Sequence, residues 1–265
     1  VHIATEGPLG MAARRWCLRH DFPFTTAFHT RFPDYVHARF RVPVRWSWAV
    51  LKWFHEPSMG VMVATRTLET ELNERGITNT KRWTRGVDLD LFRPVQNTLF
   101  DHLEAPIYLF VGRVAVEKNI EAFLKLDLPG TKVVVGDGPQ RRQLQAAFPD
   151  TVFAGEQHGE ALAMHFSAAD VFVFPSLTDT FGLVMLEAMA CGLPVAAFPV
   201  PGPVDVVTDP KAGVLDRDLA KAVYGALALS GDDTRRHATG YSWENCARLF
   251  LSNLHPVGQT GLKAA

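Results

Sequence analysis

From Pro106 onward, short apolar runs alternate with helical stretches, and that rhythm admits few folds. Ile107–Val111, Lys132–Val135, Val152–Ala154, Val171–Pro175 and Pro194–Ala197 read as strands. Asn119–Leu126, Arg141–Ala147, Glu160–Ala168 and Gly182–Ala190 read as the helices between them, with more helix at Asp218–Leu229 and Trp243–Leu254. The strands are apolar throughout instead of alternating with polar residues. That predicts burial on both faces, in an α/β protein whose parallel sheet is covered by helices. In such sheets ligands bind beyond the carboxyl ends of the strands, so the residues after each strand are the ones to search.

The first third repeats the rhythm less clearly. Val1–Thr5, Phe24–Phe28 and Val61–Ala64 read as strands; Gly10–His20, Trp46–Phe54 and Thr67–Glu74, the last closed by Gly76, read as helices. Gly86-Val-Asp-Leu-Asp-Leu-Phe-Arg-Pro94 breaks the pattern ahead of a polar linker at Val95–Glu104. A chain of 265 residues suits two domains, each with its own core. We place these at 1–95 and 96–240, with 241–265 as a C-terminal helix and tail. Val1–Thr5 has no initiator Met ahead of it and nothing to pair beside it, which reads as a chain beginning inside a domain.

Composition narrows the function classes. Hydrophobic residues make up 47 % and charged residues 21 %, a globular balance that excludes disorder. No apolar run of about 18 residues is free of charge, so no membrane span is expected. Cys17, Cys191 and Cys246 are widely spaced with no CxxC pairing, which fits reduced thiols in a cytoplasmic protein. The net charge of −1 hides an asymmetry: residues 1–85 carry 13 Lys+Arg against 7 Asp+Glu, and the remainder 14 against 21. Within the basic part, Arg14-Arg15-Trp16 and Arg39-Phe-Arg41-Val-Pro-Val-Arg45-Trp46-Ser-Trp48, continuing to Lys52-Trp53-Phe54, interleave Trp with Arg. Residues 12–54 therefore suit an anionic membrane surface, with tryptophans packed in the core and arginines on the rim as the competing reading. No nucleic-acid partner is expected, since the chain as a whole is not basic.

Two segments carry the chemistry. Ser176-Leu-Thr-Asp-Thr-Phe-Gly-Leu-Val-Met-Leu-Glu187 places Asp179 and Glu187 eight residues apart, at either end of a segment that begins as loop and becomes helix. Thr180-Phe181-Gly182 reads as the helix entry, whose free N–H groups can hold a phosphate, and Gly192-Leu193-Pro194 as its stop. Gly112-Arg113 and Lys118 follow the first strand of the second half; a fork-shaped and a point-like cation there suit a diphosphate, although either could be an ordinary surface charge. Asp88-Leu89-Asp90 imitates a metal motif but has no neighbouring ligands, and no P-loop or Gly-x-Gly-x-x-Gly fingerprint is present.

Gly-Arg-x4-Lys-Asn at 112–119, Gly-Asp-Gly-Pro at 136–139, and Pro-Ser-x2-Asp-Thr-Phe-Gly-Leu-x3-Glu-Ala-Met-Ala-Cys-Gly-Leu-Pro-Val at 175–195 together resemble glycosyltransferase family 4. Gly86–Pro94 is similar to its interdomain signature and Ser242-Trp243-Glu244 to the start of its C-terminal helix. The resemblance implies the GT-B fold: two Rossmann-like parallel-sheet domains facing a cleft, the first on the acceptor side and incomplete here at its N-terminus, the second binding the nucleotide-sugar donor. The C-terminal helix would pack back on the first domain. The implied reaction is metal-independent transfer of a hexose, with retention, from GDP-mannose or a UDP-hexose to a lipid or saccharide hydroxyl. No cofactor is expected, the nucleotide-sugar being a substrate. Asp179-Thr-Phe-Gly and Phe198-Pro-Val-Pro-Gly-Pro203 resemble most the bacterial lipid and mannosyl transferases. Members with lipid acceptors dock through the first domain, so the resemblance, with the basic face of residues 12–54, implies a cytoplasmic protein placed peripherally on the inner face of the plasma membrane.

By the same resemblance Arg113 and Lys118, beside Gly112, would bind the donor diphosphate, and Thr180, Phe181 and the N–H groups of Gly182 and Leu183 would complete its site. Glu187 would hold the ribose hydroxyls. Asp179 would contact the transferred sugar, where the family generally has the longer Glu. His29 would stand near the sugar and the incoming hydroxyl. Gly136, Gly138 and Gly155 would lie in loops beside the base, or form ordinary turns. Two other readings stand beside this one: a non-catalytic or weakly active nucleotide-sugar-binding fragment, and a GT-B sugar-nucleotide epimerase or phosphorylase.

Overall fold

The computed structural model describes residues 1–29, 41, 43–179 and 181–256. It divides into two compact units, 1–84 with 246–265, and 85–245.

The first unit is built on four parallel strands, β1 (His2–Ile3), β2 (Thr25–Phe28), β3 (Val61–Val63) and β4 (Thr80–Arg82), in that spatial order. β2 and β3 are wholly buried and pair in register from Thr26 with Val61 to Phe28 with Val63. Helix α1 (Pro8–Arg19) starts two residues earlier than the sequence suggests, because Pro8 occupies its first turn, where no backbone N–H is needed. Helix α2 (Val44–His55) packs Trp48 and Leu51 onto Phe28, Val61 and Val63. Helix α3 (Arg66–Glu74) is capped by Thr65, whose hydroxyl accepts the Leu68 N–H at 3.2 Å. A smaller cluster of Ile3, Cys17, Phe24 and Phe54 seats α1. Strand β4 is not anticipated by the sequence: Thr-Lys-Arg has no apolar pattern, and only an edge position accommodates it. Residues 246–253 fasten here through the Cys246 thiol on Thr84 O (3.2 Å) and the Asn253 amide on Arg82 O (2.7 Å).

The second unit carries six parallel strands: β5 (Ile107–Val111), β6 (Thr131–Val135), β7 (Val152–Gly155), β8 (Val171–Phe174), β9 (Val195–Ala197) and β10 (Gly213–Leu215). Their order, β10-β9-β8-β5-β6-β7, runs outward from β5 in one direction and then restarts beside it in the other. The connecting helices are α4 (Ile120–Leu124), α5 (Arg141–Ala147), α6 (Gly159–Ser167), α7 (Leu183–Ala190), the short α8 (Pro203–Val206) and α9 (Leu219–Leu227). Helices α10 (Gly231–Thr239) and α11 (Trp243–Asn253) follow. Tyr108, Phe110, Phe123, Val134, Val173, Ala196 and Val223 form the centre of one core layer.

Three differences from the sequence reading have local causes. α4 begins at Ile120, not Asn119, because Asn119 is left-handed (φ +52°). β10, α8 and the polar α10 lack the apolar period that would announce them. The boundary expected at 95 falls at 84/85, because Gly86–Pro94 packs with the second unit. Arg235 donates there to Leu89 O (3.4 Å), Phe92 O (3.2 Å) and Ala190 O, and Ser167 Oγ donates to Arg93 O at 3.1 Å.

Candidate functional site

The strand order of the second unit reverses between β5 and β8, leaving the loops beyond their carboxyl ends as the place where a parallel sheet opens a crevice. The two motifs singled out above occupy those two loops. Beyond β5 the chain runs through Gly112 and Arg113 into a 3-10 turn, Val116–Lys118, and then Asn119. Beyond β8 it runs through Pro175 and Ser176 to Asp179.

The loops are joined side by side. The Lys118 ammonium donates to Asp179 Oδ2 at 2.6 Å, a short charge-assisted contact with both side chains about three-quarters buried. The Asn119 amide donates to Pro175 O at 3.0 Å, and the buried Ser176 hydroxyl to Glu117 O at 3.5 Å. Among the described residues Arg113 pairs with Glu117 at 3.6 Å, and it is 67 % exposed, so its guanidinium can swing onto an anion at little cost.

Thr180 lies outside the described residues. Phe181 is buried, and Gly182 takes φ +80°, a left-handed turn that lets the chain enter α7 directly from the loop. Among the described residues no side chain caps α7; the Met185 N–H closes on Gly182 O at 2.9 Å, which leaves the N–H groups of Leu183 and Val184 for another acceptor. One turn further, Glu187 is part-buried, and burial pushes its carboxyl above the ordinary glutamate value. It makes no side-chain hydrogen bond or ion pair among the described residues. An unpaired, sequestered carboxylate is costly unless hydroxyl or amide donors reach it, which suits a ligand-binding role. At the far end of α7, burial raises the Cys191 thiol to about 12, so it is inert there.

The glycine loops have a packing role. A side-chain carbon at Gly136 would stand 2.0 Å from Gly112 O, and one at Gly138 2.4 Å from Val114 O, so these glycines let the loops after β5 and β6 meet backbone to backbone. The Gly138 N–H (2.6 Å) and Arg141 (2.9 Å) stabilise the Asp137 carboxylate and hold it below its usual range. Gly155, at φ +76°, lies beside the Arg141 guanidinium. Asp88 spends its carboxylate on the N–H groups of Asp90 (3.1 Å) and Leu91 (3.0 Å), an ordinary turn closure.

His29 belongs to the first unit. It follows β2 directly, part-buried, with its ring tilted against Trp83 at 5.6 Å; Trp83 in turn meets Phe250 of α11 at 4.9 Å. The sequence assigns no role to Trp83 or Arg235, and none of their own to Asn119 and Ser176 within their motifs. Asn119 was visible inside the Lys-Asn pair, but its bond to Pro175 spans 56 residues of sequence.

Two units, each built on a parallel sheet, give the chain the architecture of the GT-B class. Residues 1–91 match Glycosyltransferase Family 4 and residues 105–229 match Glycosyl transferases group 1. The chain is 34 % identical to a GDP-mannose-dependent alpha-mannosyltransferase of Mycolicibacterium smegmatis, over 100 % of this chain and 76 % of that protein. It is 33 % identical to one from Mycobacterium tuberculosis over 81 % and 59 % of the two lengths. Among solved structures it resembles sucrose-phosphate synthase from Thermosynechococcus elongatus, at TM-score 0.74 and 27 % identity over 92 % and 70 % of the chains. It also resembles Anabaena Alr3699/HepE in complex with UDP, at TM-score 0.77 and 16 % identity over 96 % and 79 %. The chain belongs to glycosyltransferase family 4. It spans between 59 % and 76 % of the length of these two mannosyltransferases.

Proposed function

We propose that this chain belongs to a retaining glycosyltransferase that moves a hexose from a nucleotide-diphosphate sugar to a lipid or saccharide hydroxyl. The observation that carries the reading is the Lys118–Asp179 pair at the switch point of the second sheet, beside the uncapped start of α7. Two cations and a helix N-terminus can neutralise a diphosphate, and they stabilise it further as it leaves with its negative charge. Asp179, one methylene shorter than the family's usual Glu, faces the sugar and the positive charge that develops at its anomeric carbon. Glu187 receives the ribose hydroxyls, and their donors discharge the cost of its burial. His29, at the end of β2 in the first unit, is assigned to the acceptor hydroxyl, its ring packed against Trp83. The mannosyltransferase relatives favour GDP-mannose as the donor. The residues named supply cationic charge where the diphosphate sits, and no metal is invoked.

A donor panel tests this. Incubation with GDP-mannose and UDP-hexoses, reading release of nucleotide, should give turnover with one donor that EDTA does not diminish. Arg113→Ala and Glu187→Ala should each lower kcat/KM by about 10- to 100-fold, the loss of a charge-assisted contact or two. Turnover indifferent to both substitutions, or abolished by EDTA, contradicts the reading.

An anionic membrane surface is proposed as the partner of the basic face. On α2, Trp46 (60 % exposed), Val50 and Trp53 (53 %) form an outward apolar stripe flanked by Arg45 and Lys52. Arg14 is not part of that face: it is buried, donating to Trp53 O (2.7 Å) and Phe54 O (3.0 Å) and stacking on the Trp53 ring. Trp48 is likewise buried, stacked on Phe28, while Arg39 and Phe40 lie outside the described residues. No helix among the described residues is long and apolar enough to cross a membrane. A peripheral position on the cytoplasmic leaflet fits that face.

A further inference from the structure

Three consecutive residues, Glu117, Lys118 and Asn119, join the loop after β5 to the loop after β8, and Asn119 does so from an unusual backbone. At φ +52°, ψ +34° it is left-handed, a region that β-carbon sterics close to most residues but that Asn tolerates. Its N–H closes the 3-10 turn on Val116 O at 3.0 Å, and its C=O accepts the Ala122 N–H at 3.1 Å as α4 begins. Its side chain reaches across the switch point to Pro175 O. Two demands therefore meet at one position: a left-handed backbone and a side-chain donor of amide length. Gly satisfies only the first; Asp tolerates the backbone but has no donor when ionised.

We propose that Asn119 is a positioning residue for the nucleoside diphosphate, acting through Lys118. By fixing the turn against Pro175 it holds the neighbouring ammonium at the mouth of the switch point, in contact with Asp179 and ready for a phosphate. This rests on the nucleotide-sugar reading above.

The test is a binding cycle with GDP and UDP as the probes, followed by ligand-observed NMR, which reaches millimolar affinities. The chain, Asn119→Gly, Asn119→Asp, Lys118→Gln and the Lys118→Gln/Asn119→Gly double variant are titrated, with thermal melts run alongside. Asn119→Gly should weaken the nucleotide that binds by about five- to tenfold, the worth of one lost hydrogen bond. In the Lys118→Gln background the same change should move affinity by less than about twofold, because coupled residues are non-additive. Asn119→Asp should match Asn119→Gly, and it replaces it in the cycle should the glycine variant not fold. Equal losses in both backgrounds would make Asn119 a general support of the loop and overturn the proposal. Unchanged binding in both Asn119 variants would also overturn it, while leaving the nucleotide reading standing. Binding of neither GDP nor UDP by the unsubstituted chain would overturn the nucleotide reading and this inference with it.

Discussion

At the scale of single residues, Glu187 shows function working against stability. Its carboxyl is raised by burial and has no partner among the described residues. The unfolded chain therefore ionises first as pH rises. The fold loses stability from the ordinary glutamate value near pH 4.3 upward through the higher folded-state pKa. Glu187→Gln removes that charge. We expect it to raise Tm by a few degrees at pH 7 to 8, with the gap closing at pH 4, where the carboxyl is protonated in both states. The same variant should bind nucleotide more weakly, the usual exchange of stability for function. Scanning fluorimetry from pH 4 to 8 checks this; a variant less stable than the parent at pH 8 would show that Glu187 has a stabilising partner after all. Sequence spacing already set Glu187 apart, since only a carboxylate one turn into an otherwise apolar helix needs explaining. That Lys118 sits on Asp179 at 2.6 Å was not readable, because 61 residues separate them.

At the scale of elements, the loops after β5 and β6 are packed backbone to backbone through glycine. The Gly-Asp-Gly-Pro run announces a turn, but its reason is tertiary: Gly136 faces Gly112 O, with φ +136°. Gly136→Ala forces both a clash and a strained backbone, costing about 2–4 kcal/mol. For a unit of this size that lowers Tm by roughly 5–10 °C, measurable by circular dichroism. A drop below about 2 °C would mean that the loops yield easily and do not fix the site. The elements that sequence reading overlooked share one property. β4 is Thr-Lys-Arg, β10 is Gly-Val-Leu and α10 is Gly-Asp-Asp-Thr-Arg-Arg-His-Ala-Thr, and none has a long enough apolar period to declare itself. They form because tertiary partners hold them: a neighbouring strand pairs with β4 and with β10, and the carbonyls of Phe92 and Ala190 receive Arg235 of α10.

For the molecule as a whole, charge is unevenly divided, with the excess of basic residues in the first 85 and of acidic residues in the rest. If α2 presents its stripe to a bilayer, the chain should co-sediment with vesicles containing phosphatidylglycerol and not with phosphatidylcholine alone. Binding should fade between about 0.1 and 0.5 M salt as screening shortens the field. A Trp46→Ala/Trp53→Ala double variant should bind less at every salt concentration, and retention of full binding would place the contact elsewhere. The sequence by itself determined the α/β class, the parallel sheets and the family, because these follow from local quantities: apolar runs, turn residues and the spacing of short motifs. It also set out the acids and cations from which a site is made. Only the tertiary structure decided which of them meet. It sent Arg14 and Trp48 inward and left Trp46 and Trp53 outside. It also brought Lys118 to Asp179 and Asn119 to Pro175 across the reversal of strand order. Such contacts depend on the order in which strands lie side by side, and no local pattern along the chain encodes that order.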